Sequence, residues 1–410
     1  MPIFTRHRRA IAAALAVCVL SLPALGQDNA SAPQSIALRV ATFNIEDLRT
    51  AELKGEPSDR VRAAAQIIQR IRPNVILINE IAYDMPGGPG YEEGDPPGRN
   101  GARFAEILAT PQGPGLAPLK MTAFMEPVNT GRASGFDLDR SGEAVTSIPP
   151  LDADEETKRA YGNDAWGYGT FPGQYGMALL VDDRLEIERR FIRTFRLFPW
   201  MFMPNALMPT RTNEEGETEP WYPEDARELF RLSSKSHWDV PIRLPSGELL
   251  HVLCSHPTPP AFDGPEQRNK RRNHDEIRFW GDYIDDADYI IDDERRPGGL
   301  PASAHFVIVG DLNADPDEGG DIRDPIGSFL FNSSHTAPDP RPVADVSVED
   351  LDADDTAVFG LRVDYVLPSD SIATLRSGVW RRAPSEGEFP SDHFPVWADL
   401  AIPAPDGETP

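Results

Sequence analysis

The sequence predicts an α+β fold: two mostly antiparallel sheets packed face to face with helices outside each, a four-layer αββα sandwich. Apolar runs of strand length alternate with amphipathic helical stretches from Ile36 onward. No linker strong enough to separate domains interrupts residues 36–402, and no internal repeat is visible. With 32 glycines and 41 prolines in 410 residues, the surplus length is expected in turn-rich loops, at 84–103, 126–172 and 196–226.

The elements follow in order. Ala37 to Phe43 reads as a strand ending at Asn44. Ser58 is a helix cap, with Val61, Ala64, Ala65, Ile67, Ile68 and Ile71 at helical spacing and Pro73 as the stop. Val75 to Ile78 is a buried strand ending near Glu80, and Met85 to Asn100 is loop. Met177–Val181 and Leu249–Cys254 are further strands, the second ending just before His256. A long amphipathic helix is expected over Glu266–Ile290, with Ile277, Trp280, Tyr283 and Ile284 on one face. Phe306 to Gly310 is a strand ending at Asp311, Arg362–Leu367 alternates as a strand, and Phe394–Leu400 is the last. Residues 403–410 read as a disordered tail.

Arg6, Arg8 and Arg9, the apolar run Ala10–Leu22 and the small residues up to Gly26 have the form of a secretory signal peptide over 1–26, followed by a polar linker over 27–35. The run is too short and too one-sided to span as a stable membrane helix. Leu15–Cys18 resembles a lipoprotein box only loosely, because Val17 is too large before the cysteine; Arg8-Arg9 fits twin-arginine export poorly. Removing three arginines leaves 37 basic against 66 acidic residues, or −29, compared with −26 for the whole chain. Export to the periplasm or beyond is the expectation. Only Cys254 would remain, in an apolar run, so no internal disulfide is expected and the thiol reads as a small buried hydrophobe.

The composition excludes a disulfide scaffold, a coiled coil, a collagen-like repeat and a polytopic membrane protein. The acid excess argues against a protein that wraps DNA through a basic surface, although a bound divalent cation can dominate the charge locally. Against that background, Asn44, Glu80, His256, Asp311 with Asn313, and Asp392 with His393 all fall at or just past strand ends, and Asp364 lies within a strand. Polar ends converge when strands lie side by side. The inventory is carboxylates, carboxamides and two histidines, with no serine elbow, cysteine pair or Gly-rich phosphate loop. Carboxylates suit a hard cation such as Mg²⁺, with Mn²⁺ or Ca²⁺ as alternatives, and histidine supplies acid–base chemistry near neutrality. These parts suit phosphoryl transfer to water.

Thr42-Phe43-Asn44, Leu77-Ile78-Asn79-Glu80, Ser255-His256, Gly310-Asp311-Leu312-Asn313, Val363-Asp364-Tyr365 and Ser391-Asp392-His393 occur in that order. In this the chain resembles the endonuclease/exonuclease/phosphatase superfamily, in six blocks between about 38 and 400. The resemblance implies a deoxyribonuclease I-like sandwich and a metal-dependent phosphoesterase over 36–402. By position it implies Glu80 as the principal metal carboxylate, with Asn44 and Asp392 close to the ion. Asp311 would orient or deprotonate the attacking water and Asn313 would hold the phosphate. His393, oriented by Asp364, would stabilise the pentavalent phosphate, while His256 would contact it and help protonate the leaving oxygen. The chain departs from the family pattern at Asn79, where Gln is more usual, and in the rigid turn Pro257-Thr258-Pro259-Pro260.

Further candidates for substrate contact are Tyr175, beside a strand, Lys235 in Ser234-Lys235-Ser236-His237-Trp238, and Arg272 in the basic island Arg268–His274. The bland alternatives are packing for the tyrosine and a solvated helix face for the island. His251 and His256 suit no zinc motif by spacing. The acids Asp137, Asp139, Asp152, Asp154, Glu155 and Glu156 read as solvated surface, and Phe195–Met203 as an insertion packed on the sandwich. The expected activity is hydrolysis of a P–O bond in a nucleic acid, a phospholipid headgroup or a small phosphate ester. A non-catalytic phosphate-binding module and a zinc metallohydrolase are the competing readings. No protein partner is implied.

Overall fold

The computed structural model describes residues 35–384 and 388–404. The predicted leader, most of the predicted linker and residues 405–410 of the predicted tail lie outside the described residues. The main elements are β1 (Ser35–Leu48), α1 (Asp59–Ile71), β2 (Val75–Ile81), α2 (Asn100–Leu108), β3 (Met121–Phe124), α3 (Glu155–Asn163), β4 (Met177–Asp182), β5 (His237–Arg243), β6 (Leu249–Ser255), α4 (Arg268–Ile284), β7 (His305–Asp311), β8 (Asp364–Pro368), β9 (Ala373–Val379) and β10 (Val396–Pro403). One sheet has the order β9-β10-β1-β2-β4-β3. The other runs β8-β7-β6-β5, with Glu186–Ile187 and Arg193–Thr194 pairing on its β5 edge. Each sheet holds one parallel pair, β1 with β2 and β6 with β7, among antiparallel neighbours.

The period-2 alternation of strands sorts side chains into layers. Val40, Leu77 and Leu179 of the first sheet meet Val240, Val252 and Val309 of the second in the central core, where Cys254 is also buried. Ala41, Phe43, Ile76 and Ile78 point the other way, against Val61 and Ile68 of α1 and Phe104 of α2. Leu253, Ile308 and Leu367 do the same against Ile277, Trp280 and Ile284 of α4. Three cores between four layers make this the sandwich expected.

The structure sharpens several boundaries. Ser58 caps α1 through its Oγ, which accepts the Val61 N–H at 3.2 Å, and Arg72 turns left-handed (φ 54°) before Pro73. α4 is shorter than expected because Gln267 and Asp286 adopt positive φ at either end. β1 does not stop at Asn44; it continues through a bulge in which Glu46 and Asp47 have φ of 49° and 47°. The 126–172 segment contains α3, and Asp137 and Asp139 serve its turn by accepting main-chain N–H groups of Ser141 and Gly142. Phe195, Phe198, Trp200 and Met203 pack into the outer core, as an insertion on the sandwich would. Among the described residues, no helix is long and apolar enough to cross a membrane.

Gly310 closes β7 at φ 148°, and a Cβ there would lie 2.0 Å from the Ser255 carbonyl oxygen of β6. Gly310→Ala is therefore expected to destabilise the fold by about 2–4 kcal/mol. Urea unfolding of the variant beside the parent protein measures this.

Candidate active site

The parallel pairs end at the same edge of the sandwich, and there the two sheets touch. Asn79 of β2, fully buried, accepts from Thr42 Oγ1 (3.1 Å) and the Asp311 N–H (3.3 Å) and donates to the Ser255 carbonyl (3.4 Å). It thereby holds the ends of β1, β2, β6 and β7 together beneath the polar cluster. Asn44 bridges the cluster itself, its Nδ2 donating to Glu80 Oε1 (3.2 Å) and Asp311 Oδ2 (3.0 Å). The β1 bulge completes the setting: Asn44 Oδ1 accepts the Glu46 N–H (2.9 Å), and Asp47 N–H binds Glu80 Oε2 (2.9 Å). Glu80, Asn313 and Tyr175 all have positive φ (64°, 53° and 54°). For non-glycine residues such conformations are costly, and they gather at sites where the surroundings over-determine them.

Asp311 lies at the centre. Its Oδ1 accepts the Asn313 N–H (2.9 Å), and its Oδ2 faces His256 Nε2 at 3.3 Å and His393 Nε2 at 3.8 Å. His393 Nδ1 is bound to Asp364 Oδ2 at 2.8 Å. Behind that pair, Thr356 Oγ1 accepts the N–H groups of both Val363 and Asp364. Ser391 ties the last loop in place by donating to the Asn44 carbonyl (2.7 Å) and accepting from His393 N–H. The Pro257 carbonyl receives both Asn313 Nδ2 and Lys235 Nζ, each at 3.2 Å.

These contacts set the charges. Burial opposes ionisation of Asp311, but the His393 charge and the hydrogen bonds from His256 and Asn44 hold it well below the usual carboxylate range. Burial would also discharge His393, yet Asp364 and Asp311 keep it protonated, well above the ordinary imidazole range. His256 has no such carboxylate behind it: burial, with Lys235 nearby, pushes it down to about 4. It is thus neutral at neutral pH. Its Nε2 faces the carboxylates of Asp311 and Glu80 and so carries the hydrogen, while Nδ1 has no partner among the described residues. Burial pushes Glu80 up to about 6 and lowers Lys235.

The fold brings together Asn44, Glu80, His256, Asp311, Asn313, Asp364 and His393. Asp392 is half-buried, its carboxylate makes no hydrogen bond among the described residues, and its charge acts on His393. Tyr175 and Lys235 border Glu80 in a cavity of about 890 Å³. Arg272 reaches the same cavity, but its guanidinium donates to the carbonyls of Leu232, Trp166 and Arg231, making it a strut of the wall. His251 belongs elsewhere, held by Asp239 at 2.8 Å, so it forms no metal pair with His256. Sequence reasoning assigned no role to Asp47, Thr356 or Ser391. The pair Glu46-Asp47, separated from Asn44 only by Ile45, was the available signal for the first; nothing local marks Thr356, which acts across a loop.

Hard oxygen donors dominate the corner formed by Glu80, Asn44 and Asp47. Asp47 Oδ1 is buried without a hydrogen-bond partner, which fits an oxygen-seeking divalent cation there. Asp311, Asp364 and His393 also lie close enough to share an ion. In that trio, however, both imidazole nitrogens already face carboxylates, which makes it an ion-pair relay.

Asp364→Asn removes the anion that keeps His393 charged. Its titration is expected to move down toward the ordinary imidazole range, as read by NMR of the ring protons in metal-free protein. The stability effect has a definite sign. Folded His393 binds its proton more tightly than the unfolded chain, so the pair stabilises fully below about pH 6.5 and its contribution is lost as pH rises through the folded-state value.

A search of curated protein sequences found no match. Among solved structures, an endonuclease/exonuclease/phosphatase from Beutenbergia cavernae is 18% identical, with a TM-score of 0.49 over 90% of this chain and 72% of that one. The human Nocturnin catalytic domain with bound sulfate is 13% identical (TM-score 0.46, 90% and 99% covered). A family protein from Bacteroides thetaiotaomicron is also 13% identical (TM-score 0.44, 90% and 97% covered). The family model described as Endonuclease/Exonuclease/phosphatase family matches residues 41–393, so the chain belongs to that family.

Proposed function

We propose that this chain is a divalent-metal-dependent phosphoesterase that hydrolyses a P–O bond by in-line attack of water. The observation that carries the reading is the geometry around Asp311: its Oδ2 faces His256 Nε2 at 3.3 Å and His393 Nε2 at 3.8 Å, His393 is backed by Asp364 at 2.8 Å, and Asn44 joins Asp311 to Glu80. Glu80, with Asn44 and Asp47 beside it, would hold the cation, which when bound polarises the phosphate oxygens and offsets their charge.

The protein's own groups perform the rest. Asn313, anchored on the Pro257 carbonyl, presents an amide that contacts phosphate oxygen without adding negative charge. His256 donates a neutral hydrogen bond from Nε2, because losing that hydrogen would leave an imidazolate. The leaving-group proton is therefore assigned to the His393 imidazolium, a shift from the role that family resemblance implies for His256. Asp311 orients the water and takes its proton as the new P–O bond forms. The old P–O bond breaks, its oxygen receives a proton from His393, and transfer from Asp311 to His393 restores the starting state. The pattern of Arg6 to Gly26 supports export of the mature protein.

Assay of phosphomonoester, phosphodiester and plasmid substrates with Mg²⁺, Ca²⁺ or EDTA tests this reading. Turnover is expected with metal and none with EDTA. Asp311→Ala and His256→Ala should each lower kcat by roughly 10²–10⁴-fold. Undiminished turnover in EDTA, or in Asp311→Ala, would overturn it.

A further inference from the structure

The cavity beside Glu80 is built by parts of the chain outside the sandwich framework. Gly162 and Asn163 of α3, Tyr168 from the 126–172 segment, and Tyr222 and Phe230 from the segment before β5 wall it, and Arg268 of α4 reaches it. At about 890 Å³ it has the volume of a small-molecule site. Tyr222 and Phe230 stack at 4.2 Å with 19° between their planes, giving a flat rigid wall. Tyr168 and Phe262 stand at the cavity with exposed rings, Phe262 at 93%.

Two residues of the lining carry unusual hydroxyls. Ser234 Oγ and Thr258 Oγ1 are buried, their residues 3% and 8% exposed, and neither atom has a hydrogen-bond partner among the described residues. A buried hydroxyl without a partner is costly, so such groups ordinarily find one. Both are set by one buried group: Glu276 of α4 accepts the Ser234 N–H through Oε1 and the Thr258 N–H through Oε2, each at 2.6 Å. Ser234 precedes Lys235 and Thr258 follows Pro257, whose carbonyl receives Lys235 Nζ and Asn313 Nδ2, so the same carboxylate fixes both hydroxyl-bearing residues relative to those two groups. A hydroxyl pair that can both donate and accept matches alcohol groups on a ligand, which have the same dual capacity.

Resting on the phosphoesterase reading above, we propose that this cavity holds the alcohol portion of a small phosphate ester, a hydroxylated ring about the size of one sugar residue. Ser234 and Thr258 read its hydroxyls while its less polar face lies against aromatic side chains. Lys235 and Arg268 add positive charge at a site in a strongly acidic chain, favouring a compact anionic ester. Duplex DNA is disfavoured by both the enclosed shape and the overall charge of −26.

The test measures binding by calorimetry in Mg²⁺ at constant ionic strength, using inorganic phosphate, glucose 1-phosphate, cyclohexyl phosphate and a short DNA duplex. Cyclohexyl phosphate keeps the ring and removes its hydroxyls. Glucose 1-phosphate is expected to bind more tightly than cyclohexyl phosphate, and Ser234→Ala or Thr258→Val should each shrink that preference about 3–10-fold. Because neither hydroxyl has an internal partner, both variants are expected to fold, which thermal melting checks. Equal or tighter binding of cyclohexyl phosphate to the parent protein, a preference unchanged in both variants, or tighter binding of the duplex would overturn the proposal. Failure of inorganic phosphate to bind would count instead against the catalytic reading. Methyl glucoside against cyclohexanol, followed by ligand-observed NMR, then judges the cavity alone, and no preference for the glucoside would overturn the proposal.

Discussion

Everything at the candidate active site depends on two sheets approaching closely enough for side chains of one to bond main chain and side chains of the other across the gap. Asn79 bonds the end of β7 and the end of β6 from β2, and within the second sheet Gly310 lets β7 lie against β6 by having no side chain where the Ser255 carbonyl lies. The central core of small branched residues, Val40, Leu77, Val252 and Val309 among them, sets the spacing that makes these contacts possible. A polar residue buried at such a junction is tolerated because both its amide oxygen and its amide nitrogen are engaged; unpaired, it would oppose the packing it now directs. The amide also adds no charge beneath a cluster that already contains Glu80, Asp311 and Asp364.

The cluster's electrostatics follow from unequal partners. Both histidines are buried and both face Asp311, yet only His393 has a second carboxylate behind it, so the two imidazoles differ in charge. Neutral Asn44 and Asn313 occupy places where another acid would increase repulsion. The strained backbone at Glu80 and Asn313 fits the same economy of space: side chains from four strand ends converge only if some residues leave the common strand geometry.

Much of this was legible in the sequence because strand ends are local signals. Apolar runs located β1, β2, β4, β6, β7 and β10, and the polar residues at the ends of β1, β2, β6 and β7 and just before β10 marked the site. Exposed edge strands were harder: β9 buries little of Ala373–Arg376, so it has no apolar run to announce it. β3 and α2 are short and sit in a Gly/Pro-rich neighbourhood. Cross-chain roles were out of reach. That Arg272 braces three carbonyls, and that Thr356 supports Asp364, depends on loops meeting in space. The ionisation difference between His256 and His393 also needed coordinates, since both stand at strand termini in the sequence.

Glu276 divides the molecule in a way that matters for how such a protein can change. The reacting groups answer to the sheet ends, whereas the hydroxyls of Ser234 and Thr258 answer to one carboxylate on a helix outside them. Drift in α3, in the segment before β5 or along the solvent side of α4 can therefore remodel the recess while leaving the strand-end geometry intact. On the phosphoesterase reading proposed above, the architecture separates what would be recognised from what would be cut.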